Sequence, residues 1–346
     1  MESKWKTRKR RGTGRVTLQE VANFAGVGTM TVSRALRTPE QVSDKLREKI
    51  EQAVEELGYI PNRTAGALAS GHSDTVAVLV PSLTDKASSR FMQSLQQVLN
   101  KNEFQLLLGC HEYNQLKEAE ILMTLLQGNP AALVIFGSQL ADKTHQILEK
   151  TNIPTINVVG SPFSPAQITI ETAFFEASHK LTEHLLEQGY KNIGFIGAHM
   201  DNRLQRQQLN GWHKAMLSHY QNSDLVITMP DAASLQLGRY ALNEILLRQP
   251  ELDAVICSHE EIALGIMFEC QRRLLKIPEN IAVACLDGSD NCDQTHPTLT
   301  SIRIDYKKMG IETGKLLIGL LNNNHDESEE SRIVQFNYQI ELRQST

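Results

Sequence analysis

The sequence predicts a small all-α head carrying a helix-turn-helix, followed by an α/β body of two doubly wound subdomains. Three observations carry this expectation. The charge is divided: residues 1–64 hold 13 Lys and Arg against 8 Asp and Glu, whereas 65–346 hold 22 against 32. Up to Gly58, apolar side chains recur at helical spacing between glycine stops. After His72 the rhythm becomes short apolar runs separated by amphipathic stretches, the pattern of parallel strands covered on both faces.

The basic start, with Lys4, Lys6, Arg8, Lys9, Arg10, Arg11 and Arg15, cannot bury a core and reads as a mobile arm over 1–15. Thr17-Leu18-Gln19-Glu20 fits a capping box, in which the threonine hydroxyl and the glutamate satisfy each other's backbone N–H groups. Leu18, Val21, Ala22 and Ala25 then line one face, and Gly26 stops the helix. A second helix runs from Thr29 to Leu36 after the Val27-Gly28 turn. Pro39 breaks the chain, and Ser43 is placed to cap a third helix whose Leu46, Ile50, Ala53, Val54 and Leu57 share a face. This head occupies 16–60, with a linker over 61–73 and the body over 74–346.

In the body the apolar runs are Val76–Val80, Gln105–Leu108, Ala132–Phe136, Thr155–Val159, Ile193–Ile196, Leu225–Thr228, Ala254–Cys257 and Ile281–Leu286, with a last strand expected over Ile333–Leu342. So many strands alternating with helices suggest two parallel sheets. Ligands of such folds bind beyond the carboxyl ends of the strands.

Several classes are disfavoured. There is no Gly-rich phosphate loop, HExxH motif or nucleophile elbow, and His179 and His184 are spaced by five rather than the four that puts two ligands on one helix face. A sugar kinase with an added helix-turn-helix would need such a loop. No cofactor is expected. The five cysteines, Cys110, Cys257, Cys270, Cys285 and Cys292, form no CxxC pair and suit reduced thiols in the cytoplasm. No apolar run is long enough for a membrane span, and the basic N-terminus lacks the apolar stretch of a secretory signal, which disfavours a periplasmic binding protein.

Two short helices joined by a glycine turn, on a basic segment, point to double-stranded DNA. Thr29, Met30 and Arg34 are the expected base readers, because they open the second helix or share its face and an arginine can pair with guanine through two hydrogen bonds. Thr31 and Ser33 are better placed for phosphates. Thr17, at the start of the first helix, completes the expected DNA-facing set within the head.

Val16-Thr17-Leu18-Gln19-Glu20-Val21-Ala22, Ala25-Gly26-Val27, Thr31-Val32-Ser33-Arg34 and Leu57-Gly58-Tyr59-Ile60-Pro61-Asn62-Arg63 together resemble the Lac repressor family, as does the ending Leu342-Arg343-Gln344-Ser345-Thr346. The resemblance spans about residues 16–346. It implies a hinge helix over Asn62–Ser70, with Asn62 and Arg63 at the DNA and Leu68 wedged into the minor groove, where an apolar side chain unstacks and kinks a base step. Gly28 stands where the family usually has a Ser or Thr cap. The resemblance also implies a homodimer on a pseudo-palindromic operator and a body like a periplasmic sugar-binding protein. Its N-subdomain would be about 74–170 and 300–330, and its C-subdomain about 171–299 and 331–346.

By the same resemblance the effector pocket draws on Asp85, Gln208, His259, Asp287 and Tyr306. Asp287 would accept ligand hydroxyls, His259 would bond a hydroxyl or, protonated, an acid, and Tyr306 would lie over the ligand. Gln208 replaces a usual arginine, and Val159 a usual aspartate. Met30–Arg34, Tyr59–Arg63, Leu79-Val80-Pro81-Ser82-Leu83-Thr84 and Phe268-Glu269-Cys270-Gln271-Arg272 are similar to the gluconate and idonate repressors. A sugar acid needs a cation, for which Arg90, Arg203 and Arg206 are the candidates. The alternatives within the family are a neutral sugar or a purine-type co-repressor.

Overall fold

The computed structural model describes residues 16–61, 73–137, 140–160, 166, 168–199, 203–322 and 332–346. The chain separates into two compact units at Ser73. In the first, α1 (Leu18–Ala25), α2 (Thr29–Arg37) and α3 (Asp44–Leu57) enclose Val21, Ala22, Ala25, Val32, Ala35, Ile50 and Ala53. The capping box closes as its residues dictate: Glu20 N donates to Thr17 Oγ1 at 3.3 Å, and Thr17 N donates to Glu20 Oε2 at 2.7 Å. α1 ends at Gly26 with φ +63° and α3 at Gly58 with φ +62°. A side chain there would cost roughly 1–2 kcal/mol, so glycine marks both stops. One expected cap is not made: Ser43 precedes α3 in extended conformation, but its hydroxyl bonds no first-turn N–H.

The second unit holds two six-stranded sheets of matching order. The first comprises β1 (Thr75–Val80), β2 (Gln105–Cys110), β3 (Ala132–Phe136), β4 (Thr155–Val158), β5 (Ile168–Thr172) and β11 (Arg332–Phe336), ordered β11-β5-β4-β3-β1-β2 and parallel throughout. The second comprises β6 (Ile193–Ala198), β7 (Val226–Met229), β8 (Ala254–Cys257), β9 (Ala282–Gly288), β10 (Thr300–Ile304) and β12 (Tyr338–Glu341), ordered β12-β10-β9-β8-β6-β7. Only its β10–β12 pair is antiparallel.

Alternation along β1 shows why the strands read as continuous apolar runs. Val76, Val78 and Val80 pack on α4 (Lys86–Lys101) and α11 (Tyr306–Asn322), whereas Ala77 and Leu79 pack on α5 (Gln115–Gln127) and α6 (Asp142–Leu148). Each such valine or leucine side chain, fully buried, is worth about 1.5–3 kcal/mol. The second sheet is covered likewise by α7 (Phe174–Glu187) and α8 (Arg203–Ser218) on one face and by α9 (Leu235–Arg248) and α10 (Glu260–Arg272) on the other. A Cβ on Gly211 would stand 2.3 Å from the Phe175 carbonyl oxygen, so α8 packs against α7 only with glycine at that point.

The structure corrects the later subdomain boundaries. β10 belongs to the second sheet, so the crossing falls between Ile304 and Tyr306 rather than at 300. The expected single strand Ile333–Leu342 is two strands, β11 in the first sheet and β12 in the second, which meet at Asn337. One extended segment satisfies the edges of both sheets, a fact that local alternation does not reveal.

Candidate nucleic-acid interface and ligand cleft

α2 buries Val32 and Ala35 in the head and turns Met30, Arg34 and Arg37 outward, with Met30 75% exposed. These three sit at i, i+4 and i+7 and share one face. Thr29, Thr31 and Ser33 flank them, partly buried. The helix carries no acidic residue in its first turn and two arginines in its last, and its Gly28 N-cap supplies no side-chain acceptor to the opening N–H groups. Such a helix end suits a phosphate. Thr17 also caps α1: its hydroxyl donates to Glu20 Oε2 at 3.0 Å and accepts from Glu20 N, which holds the helix start in place. Arg37 is an outward cation that the sequence reading missed, although its spacing from Met30 and Arg34 was visible. Asn62, Arg63 and Leu68 lie outside the described residues.

In the body, a cavity of about 240 Å³ lies at the carboxyl ends of the strands of both sheets. It collects Asp85 after β1, Tyr113 after β2, Gly137 after β3, Val159 after β4, His199 after β6, His259 after β8, Asp287 on β9 and Tyr306 opening α11. This is where open parallel sheets bind ligands, beyond the point where strand order reverses. Three of its non-glycine residues have left-handed backbone: Tyr113 (φ 58°), Val159 (φ 59°) and His199 (φ 50°). For β-branched Val159 this is strained, and such strain concentrates at binding sites.

Of the residues expected in the pocket, Asp85, Arg90, Gln208, His259, Asp287 and Tyr306 all line this cavity. Arg203 and Arg206 do not. They stand two residues away from Gln205 and Gln208 along α8, about 200° around the helix, and it is the two glutamines that are buried against the cavity. Among the described residues, Gln208 Oε1 and Nε2 and Gln205 Oε1 have no hydrogen-bond partner, as expected of groups that await a polar ligand. Gln205 Nε2 stands 3.4 Å from His259 Nε2, and the other ring nitrogen stands 2.7 Å from Ser258 Oγ.

The charges divide by wall. Burial, helped by the nearby His199, pushes the His259 imidazole down to about 4, so near neutral pH it is uncharged, which suits the hydroxyl-bonding role of the two expected of it rather than the acid-holding one. Burial lifts the Asp287 carboxyl to about 7, with Glu261, Glu260 and Asp85 adding repulsion that the Tyr306 hydroxyl bond only partly offsets. The Tyr113 hydroxyl donates to Asp85 while its ring stacks on His199 with centroids 4.1 Å apart. On α4, Lys86 Nζ lies 2.5 Å from Glu260 Oε1 and 3.1 Å from Glu261 Oε1. Arg90 meets Asp290 at 3.3 Å, and Arg303 meets the same carboxylate at 2.6 Å. Burial alone would raise the Glu260 carboxyl, but Lys86, Ser289 N and Asn291 Nδ2 hold it below its usual range.

Lys86, Ser88, Tyr113, His199 and Gln205 were missed from sequence. Tyr113 and His199 follow strand ends, so the strand-end rule could have found them. No local signal marks Lys86, whose partners are 174 and 175 residues distant.

Comparison with known proteins agrees with this architecture. Residues 17–62 match the model of the lacI family of bacterial regulatory proteins, and 182–346 match a periplasmic binding protein-like domain. The chain is 33% identical over 299 residues to the HTH-type transcriptional regulator GntR of Escherichia coli (strain K12), covering 86% of this chain and 89% of that one. It is 28% identical over 330 residues to the regulator IdnR of the same organism, covering 94% and 97%. A crystal structure of a LacI-family transcriptional regulator from Silicibacter pomeroyi superimposes with a TM-score of 0.87 at 26% identity, covering 95% of this chain and 99% of that one.

Proposed function

We propose a ligand and a mode of action from one premise: this chain belongs to the lacI family of bacterial regulatory proteins, DNA-binding transcriptional regulators that are not enzymes. The head reads an operator through α2, with Thr29, Met30 and Arg34 at base edges and Thr31 and Ser33 at phosphates. Asn62, Arg63 and Leu68 continue the contact into the minor groove. Two copies bind a pseudo-palindrome, since two-fold protein symmetry matches two half-sites.

The cleft takes a small sugar acid such as gluconate, and its occupancy alters operator binding by a coupling of about 1–3 kcal/mol. The observation that carries this reading is the cavity itself, which gathers polar and apolar side chains from the strand ends of both sheets and has Lys86 and Arg90 in its lining. At about 240 Å³ it falls just below the roughly 300–1,000 Å³ common for drug-sized ligands, which suits a single sugar unit. The similarity to GntR and IdnR supports the acid. A neutral sugar is the second reading, favoured by the uncharged wall of Gln205, Gln208 and His259 and by the carboxylates already beside Lys86 and Arg90.

Calorimetry of the full chain with gluconate, idonate, glucose and a purine base, repeated as a mobility shift on operator DNA, tests both readings. Heat and an altered shift with the sugar acids are expected. Heat only with glucose or the purine would remove the acid from the proposal, and no operator recovered from a random DNA library would remove the reading of the head.

A further inference from the structure

The start of α4 opens onto the cleft with no side-chain cap, and the inference drawn from it rests on the sugar-acid reading above. Asp85 is the N-cap residue of this 16-residue helix, yet its side chain bonds no first-turn N–H and instead accepts the Tyr113 hydroxyl. The opening N–H groups of a helix have no partners within the helix and sit at the positive end of its dipole. Here the first turn, Lys86, Ala87 and Ser88, faces the cavity. Within it Ser88 Oγ is buried, the residue being 1% exposed, and has no hydrogen-bond partner among the described residues. A buried hydroxyl without a partner is costly unless a ligand satisfies it.

The surrounding charges decide which end of an acid goes there. The groups facing this region are the carboxylates Asp85, Glu260, Glu261 and Asp287 and the cations Lys86 and Arg90. Glu260 also accepts from Ser289 N at 2.7 Å and from Asn291 Nδ2 at 3.0 Å, so the ammonium can be shared with a ligand without stranding a buried carboxylate. The opposite wall, Gln205, Gln208 and the neutral His259, offers hydrogen bonds and no charge.

We propose that the start of α4 is the carboxylate subsite of the cleft: the first-turn N–H groups, the Ser88 hydroxyl and the Lys86 ammonium receive the acid group, and the hydroxyl-bearing chain runs toward Gln205 and Gln208. The reverse orientation would bring an anion to a wall without a cation.

The test is calorimetry of the full chain with sodium D-gluconate and with its uncharged amide, D-gluconamide, on wild type, Ser88→Ala, Lys86→Gln and Lys86→Arg. Ser88→Ala is the cleaner variant, since it removes one oxygen and leaves the ion pairs of Lys86 intact. Circular dichroism melts check that each variant folds. Gluconate affinity should fall about tenfold in Ser88→Ala, a loss of the size expected for a hydrogen bond to a charged group. It should fall further in Lys86→Gln and return in Lys86→Arg, while gluconamide affinity changes less than about twofold throughout. If wild type binds gluconate and both Ser88→Ala and Lys86→Gln keep that affinity within about twofold, the subsite is wrong and the sugar-acid reading stands. If wild type gives no heat with gluconate, the sugar-acid reading falls and takes the subsite with it.

Discussion

Lys86, on the helix that follows the first strand of one sheet, places its ammonium 2.5 Å from the carboxylate of Glu260, on the helix that follows the third strand of the other. The pair joins the two halves of the body at the rim of the cavity, and Glu261 reinforces it at 3.1 Å. Glu260 is buried and Lys86 is 39% exposed, so one partner is desolvated while the other remains partly screened.

Replacing Lys86 by Met should therefore destabilise the body only modestly. A hydrogen bond to a charged group is worth about 1.5–3 kcal/mol when buried. With solvent screening at the lysine the loss should be about 1 kcal/mol. Scanning calorimetry should show a Tm lower by about 2–4 °C, with the difference shrinking at high salt. A variant that melts with wild type at low salt would show that the clasp does not stabilise the body.

Asp287 predicts a dependence of stability on pH. Its carboxyl titrates near 7 in the fold, above the ordinary aspartate value, because burial and the neighbouring Glu261, Glu260 and Asp85 disfavour the anion. The folded state therefore binds the extra proton. This contribution is complete below about pH 4, the unfolded value, and is lost as pH rises toward 7, at up to about 1.4 kcal/mol per pH unit. Urea unfolding should show Asp287→Asn gaining on wild type across that window and then running parallel above it. Equal pH profiles for the two proteins would remove Asp287 as the source.

In the head, Arg34 and Arg37 should separate by the kind of loss they cause. Arg34→Ala should cost about 1–3 kcal/mol on the operator and relax preference at one base pair. Arg37→Ala should weaken binding to all sequences alike and lower the salt slope by about one. Fluorescence anisotropy over a salt series, on the operator and on a scrambled duplex, distinguishes them. If Arg37→Ala changes base preference instead, the division of roles between the two arginines is wrong.

Capping sets the stability of the head. Thr17→Ala removes the hydroxyl that Glu20 N bonds and should cost about 1 kcal/mol, read as weaker operator binding at elevated temperature and a lower denaturation midpoint for the head. Gly28→Ser should stabilise α2 by a few tenths of a kcal/mol. Its side chain faces the same N–H groups offered to phosphate, so the gain in stability should come with weaker DNA binding. Tighter binding in Gly28→Ser would argue that those groups do not meet the backbone of the duplex.

The amino-acid sequence by itself determined what depends on neighbours along the chain. Thr17 and Glu20 close a capping box because they are three residues apart, Gly26 and Gly58 stop helices because only glycine takes their φ without strain, and Val76 to Val80 form a strand buried on both faces because no polar residue interrupts them. The resemblance to the Lac repressor family then pointed to Asp85, His259 and Asp287, which do meet in one cavity. Two strands escaped notice, β5 and β10, since Ile168–Thr172 and Thr300–Ile304 interleave polar residues with few apolar ones. Only the tertiary structure decided which face of α8 turns inward, and it chose Gln205 and Gln208 over Arg203 and Arg206. It also paired Lys86 with Glu260 across 174 residues and divided the last extended segment between two sheets. The physical reason is the same in each case. Backbone propensity and side-chain period act within a few residues, whereas the field at a cleft is set by how two separately folded sheets present their strand ends to one another.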